Sequence, residues 1–115
     1  MTKTVLNEVF DLLVEHRLVN SESEFSRDWL GRSESYMRGL RFHNEMPSAG
    51  SIAICASKLQ HYGARLDENE SYAELAHEFL TLSQRCHNEI NKRAQMSWLP
   101  LSEMGSADQN LSRVV

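Results

Sequence analysis

Residues 20–59, NSESEFSRDWLGRSESYMRGLRFHNEMPSAGSIAICASKL, decide how this chain folds. Ser21 followed three positions later by Glu24 is the spelling of a capping box. Phe25 and Trp29, four apart, then share one face of the helix it opens. Leu30-Gly31 closes that helix, because a glycine just past the last apolar residue accepts the left-handed backbone that ends a helix. Ser33 is placed to cap the next one. In that second helix Met37 and Leu40, three apart, face inward and leave Ser35, Tyr36, Arg38 and Arg41 on the other sides. Two helices joined through a glycine turn spell a helix-turn-helix.

On the C-terminal side of the motif, Phe42 to Met46 reads as a connection into Pro47-Ser48. Ser48 caps a further helix carrying Ile52, Cys55, Ala56 and Leu59, which ends near Tyr62 with Gly63 as its left-handed terminal residue. Upstream, Thr4 or Thr2 caps a first helix with the stripe Val5, Leu6, Val9, Phe10, Leu13, ending near His16 or Arg17. Leu18 and Val19 follow as an apolar connector. Downstream, Asp67 and Glu70 offer a second capping box, and the longest periodic segment runs from there to about Gln95. Its stripe is Tyr72, Leu75, Phe79, Leu82 and Cys86, extended by Ile90. About 27 residues rising 1.5 Å each span about 40 Å, more than four short helices cover. A second copy of the chain is the simplest cover, and those six residues are its expected dimer interface. The alternative is a break near Gln84 that folds the helix back on its own domain. Trp98, Leu99, Pro100 and Leu101 form a small apolar knot before a polar, flexible tail. The expected architecture is all-α, a five-helix bundle: residues 1–66 as a helix-turn-helix core, 67–97 as the long C-terminal helix, 98–115 as tail.

The segment LGRSESYMRGLRFHNEMPSAGSIAICASKL resembles the phage repressor and Cro type of helix-turn-helix. The resemblance rests on Leu30-Gly31, Ser33, Met37, Leu40 and Pro47-Ser48, and covers about forty of the 115 residues. The small residue usual four before the turn glycine is here Arg27, which offsets the preceding helix by one and gives Ser26 the small position. Gly39 inside the recognition helix costs about 1 kcal/mol relative to alanine. FSRDWLGRSESY also resembles, more loosely, short uncharacterised bacterial proteins of that superfamily, a likeness that adds no function. What the resemblance implies is duplex-DNA binding by a small homodimeric transcriptional regulator. The helix after Ser33 would enter the major groove, offering Ser33, Glu34, Ser35, Tyr36 and Arg38 to base edges, with Arg38 suited to guanine and Glu34 to cytosine. Arg32 and Arg41 at its ends, with Ser23 on the preceding helix, would hold phosphates.

Composition bounds these expectations. The chain is long enough for one modest core without metals or disulfides. Cys55 and Cys86 lack paired spacing and read as buried thiols of a reducing cytoplasm. No apolar run approaches the roughly twenty residues of a membrane span. The formal charge is −4, yet residues 27–65 hold six basic side chains (Arg27, Arg32, Arg38, Arg41, Lys58, Arg65) against three acidic (Asp28, Glu34, Glu45). The positively biased region therefore coincides with the motif. His61, His77 and His87 have no metal-ligand spacing, Cys55 has no identifiable base, and there is no phosphate loop. No catalytic residue, metal or cofactor is expected. The competing class is a protein that keeps the fold, has lost the duplex, and binds another regulatory protein or an assembly through Tyr36, Phe42 or the long helix.

Overall fold

The apolar periodicity of the chain is helical throughout, and helices are what form. A computed structural model describes residues 4–100 and 102, and the described residues hold five α-helices and one 3-10 turn with no strand. Helix α1 is Val5–Glu15. Thr4 caps it, taking the Asn7 amide on its hydroxyl at 3.3 Å while the Asn7 carboxamide accepts the Thr4 amide at 2.9 Å. Arg17 ends it in the left-handed region at φ 60°, with the Leu18 amide returning to the Leu13 carbonyl at 2.8 Å. Helix α2 is Glu22–Leu30, capped by Ser21. Glu24 reaches one residue further back than a reciprocal capping box, accepting the Asn20 amide at 2.9 Å. Gly31 terminates α2 at φ 65°, as its position predicts.

Helix α3 is Tyr36–His43, closed by Asn44 in the left-handed conformation that asparagine tolerates. It begins two residues later than a Ser33 cap would start it. Residues 33–36 form a turn instead, with the Tyr36 amide on the Ser33 carbonyl at 3.0 Å. The Ser33 hydroxyl faces that of Ser35 at 3.4 Å, and Glu34 is drawn back to Arg27 on α2. Helix α4 is Ala49–Leu66, capped by Ser48. It does not stop at Gly63. That glycine is helical and buried, because the following helix passes so close that a Cβ there would lie 2.9 Å from Leu80. Asp67, expected to open the last helix, is the C-cap of α4. Asn69 caps the single 3-10 turn Glu70–Tyr72, and α5 then runs over Ala73–Trp98.

Helices α4 and α5 form the spine of the bundle, and their pairing is antiparallel. Gly63 meets Phe79 and Leu80, the Ser83 hydroxyl donates to the Ala56 carbonyl at 2.8 Å, and Arg93 donates to the Pro47 carbonyl. Helix α1 lies against α5, tied by the Arg85 guanidinium on the Glu8 carboxylate. One core gathers Leu6, Val9 and Leu13 of α1, Phe25 and Leu30 of α2, Ile52, Cys55 and Leu59 of α4, and Phe79 and Cys86 of α5.

That core corrects the expected role of the long helix. Phe79 is 1% exposed and Cys86 fully buried, while Leu75, Leu82 and Ile90 pack against the same core. The mismatch of lengths disappears because α4 is itself 18 residues long and covers α5 from its own side. The stripe is therefore used within the chain. Only Tyr72 among the six is exposed. There is no break at Gln84 either, since α5 is continuous through it. Leu99 is buried and Trp98 exposed. The alternative cap Thr2, Leu101 of the apolar knot, and the polar tail from residue 103 onward lie outside the described residues. No described helix is long and apolar enough to cross a membrane.

Candidate nucleic-acid interface

The pair α2–α3 is held at its crossing by one small residue. Ser26 is fully buried, and its hydroxyl accepts the Met37 amide at 3.2 Å, satisfying one of the amides that a helix start leaves without a partner. A longer side chain at 26 would hold the helices apart. The backbone amides of Gly31 and Arg32 both return to the Ser26 carbonyl, which fixes the turn between them. Trp29 and Met37 face inward, as the sequence predicts.

Helix α3 is also pinned to the start of α4. The Tyr36 hydroxyl accepts the Ser48 amide at 2.9 Å and lies 3.1 Å from the Ser51 hydroxyl. Burial pushes the Tyr36 phenol up, but its bonds to Ser48 and Ser51 and the nearby Arg32 bring it below its ordinary value. Arg32 stands with its guanidinium 5.5 Å from the Tyr36 ring centroid and donates to the Ser48 hydroxyl at 2.8 Å. Tyr36 is thus a strut between α3 and α4, and the hydroxyl it was expected to offer to base edges is engaged by Ser48 and Ser51.

The remaining expected residues divide by what already holds them. Arg41 is paired with Glu22 at 2.5 Å, and Glu34 with Arg27 at 2.9 Å. Asp28 also lies on Arg27, whose hydrogen bond holds its carboxyl below the usual range. Over α2, the turn and α3, four arginines (27, 32, 38, 41) are matched in number by four carboxylates (Glu22, Glu24, Asp28, Glu34), so the positive bias counted over residues 27–65 is absent from the net charge of the motif itself. Arg38 is exposed and has no partner among the described residues. Arg32 carries its charge without a carboxylate beside it, next to the exposed first residues of α4, Ala49 and Gly50. Ser23 is half-buried in the first turn of α2, and Ser33 and Ser35 are exposed.

The outer face of α3 also carries a residue that the sequence pattern assigns to a connection. Phe42 belongs to α3, one turn beyond Arg38 and seven residues from Ser35, and is 83% exposed. Ser35, Arg38 and Phe42 therefore line one face, opposite Met37 and Leu40. The signal was available, because a phenylalanine off the Met37–Leu40 stripe has no core to enter.

Cys55 and Cys86, without paired spacing in the sequence, meet in the core between α4 and α5, both as free thiols. The hydrogen bond with Cys86 and burial push the Cys55 thiol far above the ordinary range. Among the described residues no group of three His, Cys, Asp or Glu side chains is gathered as a metal site.

Fold and site together define an all-α bundle whose second and third helices, joined by a glycine turn, present one outward face. The chain belongs to a family of unknown function (DUF6626), matched over residues 6–99, which takes in almost the whole helical bundle. No curated protein and no solved structure matches it.

Proposed function

We propose that the protein binds duplex DNA as a homodimer, using α2 and α3 as a helix-turn-helix of the repressor type, and acts as a small transcriptional regulator. The observation that carries this reading is the outer face of α3. Ser35, unpartnered Arg38 and Phe42 stand exposed on a short helix whose inner side is fastened to α2 by Ser26 and to α4 by Tyr36. A helix entering the major groove needs such a rigid back and a front of donors and apolar groups. Arg38 suits the two acceptors of guanine, and Phe42 suits a thymine methyl. Arg32 beside Ala49 and Gly50, the exposed first residues of α4, is a good phosphate contact, since the start of a helix favours anions. Arg41 is a poor one while Glu22 holds it.

A second reading is favoured by the cancelled charge and by Phe42. A motif with as many carboxylates as arginines is weakly attractive to a polyanion, and a lone exposed phenylalanine is a common anchor for another protein. In that reading the fold is kept and the partner is a regulatory protein.

A mobility-shift assay on duplex fragments at low salt separates the two. Arg38→Ala is expected to lose about 1–3 kcal/mol of affinity for the preferred sequence only. Arg32→Ala should weaken all sequences alike and reduce the salt slope by about one per protomer. Parent protein that shifts no duplex, or variants that bind every fragment as the parent does, would refute the duplex reading.

A further inference from the structure

A dimer needs a surface, and the buried stripe of α5 does not supply one. A large groove between the helices does. It has a volume of about 1030 Å³ and lies where the end of α1, the end of α2, the second half of α4 and the start of α5 converge. Trp29 and Phe79 form its floor, with ring centroids 6.2 Å apart and edge to face. Leu18 (46% exposed), Tyr62 (43%) and Tyr72 (50%) stand around it, an apolar cluster open to water.

The charges on its two long walls differ in sign. Lys58 and Arg65 lie on the α4 wall, and Glu74 and Glu78 on the α5 wall. Lys58 is engaged within the chain, donating to the Asp28 carbonyl and standing 5.6 Å from the Trp29 ring, and Glu78 lies 3.9 Å from His16. Arg65 and Glu74 are exposed and have no partner among the described residues. An anionic ligand would meet Glu74 and Glu78, and a cationic one would meet Lys58 and Arg65. A second copy of the same surface, turned by a two-fold axis through the groove, meets neither obstacle. Such a contact is isologous, and with the axis running along the groove the α4 wall of each copy faces the α5 wall of the other.

We propose that this groove is the self-association surface of the protein, closing as a two-fold dimer in which Arg65 of each copy pairs with Glu74 of the other. The proposal rests on the homodimer part of the reading above and names the surface it uses. The exposed apolar side chains Leu18, Tyr62 and Tyr72 form the dry centre, and the two ion pairs form the rim that sets the register. Because the pairing occurs twice, a single charge reversal replaces two attractions by two repulsions, and reversing both members restores them.

Sedimentation equilibrium of the full chain from about 1 to about 100 µM, without DNA, tests this. The parent is expected to be a dimer at tens of micromolar. Arg65→Glu and Glu74→Arg should each weaken association roughly tenfold or more, and the double variant should return it to within a few-fold of the parent. Both positions are exposed, so far-UV circular dichroism spectra should match the parent and exclude misfolding. A monomeric parent would overturn the proposal and leave the groove to a smaller ligand or another protein. A dimer indifferent to the single reversals, or singles that the double fails to rescue, would overturn it equally. DNA binding is read separately in the shift assay: a rescued dimer that shifts no duplex keeps this surface and loses the duplex reading, and a duplex-binding monomer does the reverse.

Discussion

Two glycines in helix interiors should respond in opposite directions to the same substitution. Gly39 lies within α3, and a Cβ built there meets nothing within 4 Å. Gly39→Ala therefore gains only the helix propensity difference, about 1 kcal/mol, because the unfolded chain loses conformational freedom and no contact is strained. Gly63 lies within α4, and a Cβ there would stand 2.9 Å from Leu80 Cδ2, 3.0 Å from Leu80 Cγ and 3.1 Å from Phe79 Cβ. The Leu80 methyl can turn away toward solvent. Leu80 Cγ and Phe79 Cβ are too near the backbone of α5 to do so, and the two longest helices would have to separate. Overpacking of this kind costs about 1–3 kcal/mol, and the rigid neighbours put it in the upper part of that range. Set against the same propensity gain of about 1 kcal/mol, Gly63→Ala should lose about 1–2 kcal/mol. For a domain of this size each kcal/mol moves the midpoint by about 4–8 °C, so thermal melts should rise for Gly39→Ala and fall for Gly63→Ala. Urea titrations with an unchanged slope would show that stability alone has moved. If both variants were stabilised equally, α4 and α5 would not be in close contact at Gly63. Destabilisation by Gly39→Ala would mean that the outer face of α3 is covered.

Ser26→Ala leaves the buried Met37 amide without its acceptor, and should cost about 1–3 kcal/mol in urea midpoint analysis. A neutral result would mean that α2 and α3 do not cross at this residue. The Cys55 thiol, raised in the folded state by its bond to Cys86 and by burial, keeps a proton that the unfolded chain releases above about pH 8.5. Its contribution is thus fully present below that pH and is lost as pH rises beyond it, so stability should decline on the alkaline side and Cys55→Ala should flatten the decline. Neither thiol should react with Ellman's reagent in the native protein at neutral pH, and prompt native reaction at either would contradict their burial.

What the sequence disclosed were features with a single local spelling. Gly31 after Leu30, with apolar residues ending and polar ones beginning, has one good explanation, and it is left-handed as predicted. Thr4, Ser21 and Ser48 are caps because each stands just ahead of an apolar helical stripe. Gly63 misleads because glycine has two uses that are written identically. One is a positive φ. The other is the absence of a Cβ where another helix passes, and only Phe79 and Leu80, sixteen and seventeen residues downstream, reveal it. The start of α3 was obscured for a related reason. Serines at 33 and 35 are both good caps, and the choice was made by Glu34 pairing with Arg27 and by Tyr36 reaching Ser48 and Ser51. The meeting of Cys55 with Cys86 depends on the register of α4 against α5, which neither helix states alone.

The candidate site shows the same limit in its electrostatics. Counting charges along the chain makes residues 27–65 a basic segment, but an ion pair answers to distance in space. Glu22 lies outside that window and neutralises Arg41, while Asp28 and Glu34 inside it both converge on Arg27. Two arginines of the motif keep an uncompensated charge, and they keep it for different reasons. Arg32 is fixed over Tyr36 and Ser48, where its position is set before any ligand arrives. Arg38 has no such tether among the described residues. A fixed cation at a helix start loses little freedom on meeting a phosphate, whereas a free arginine must be ordered by its target and is rewarded only where a guanine offers both acceptors. The division of labour proposed for Arg32 and Arg38 follows from that difference in preorganisation, and the number of charges in the segment has no bearing on it.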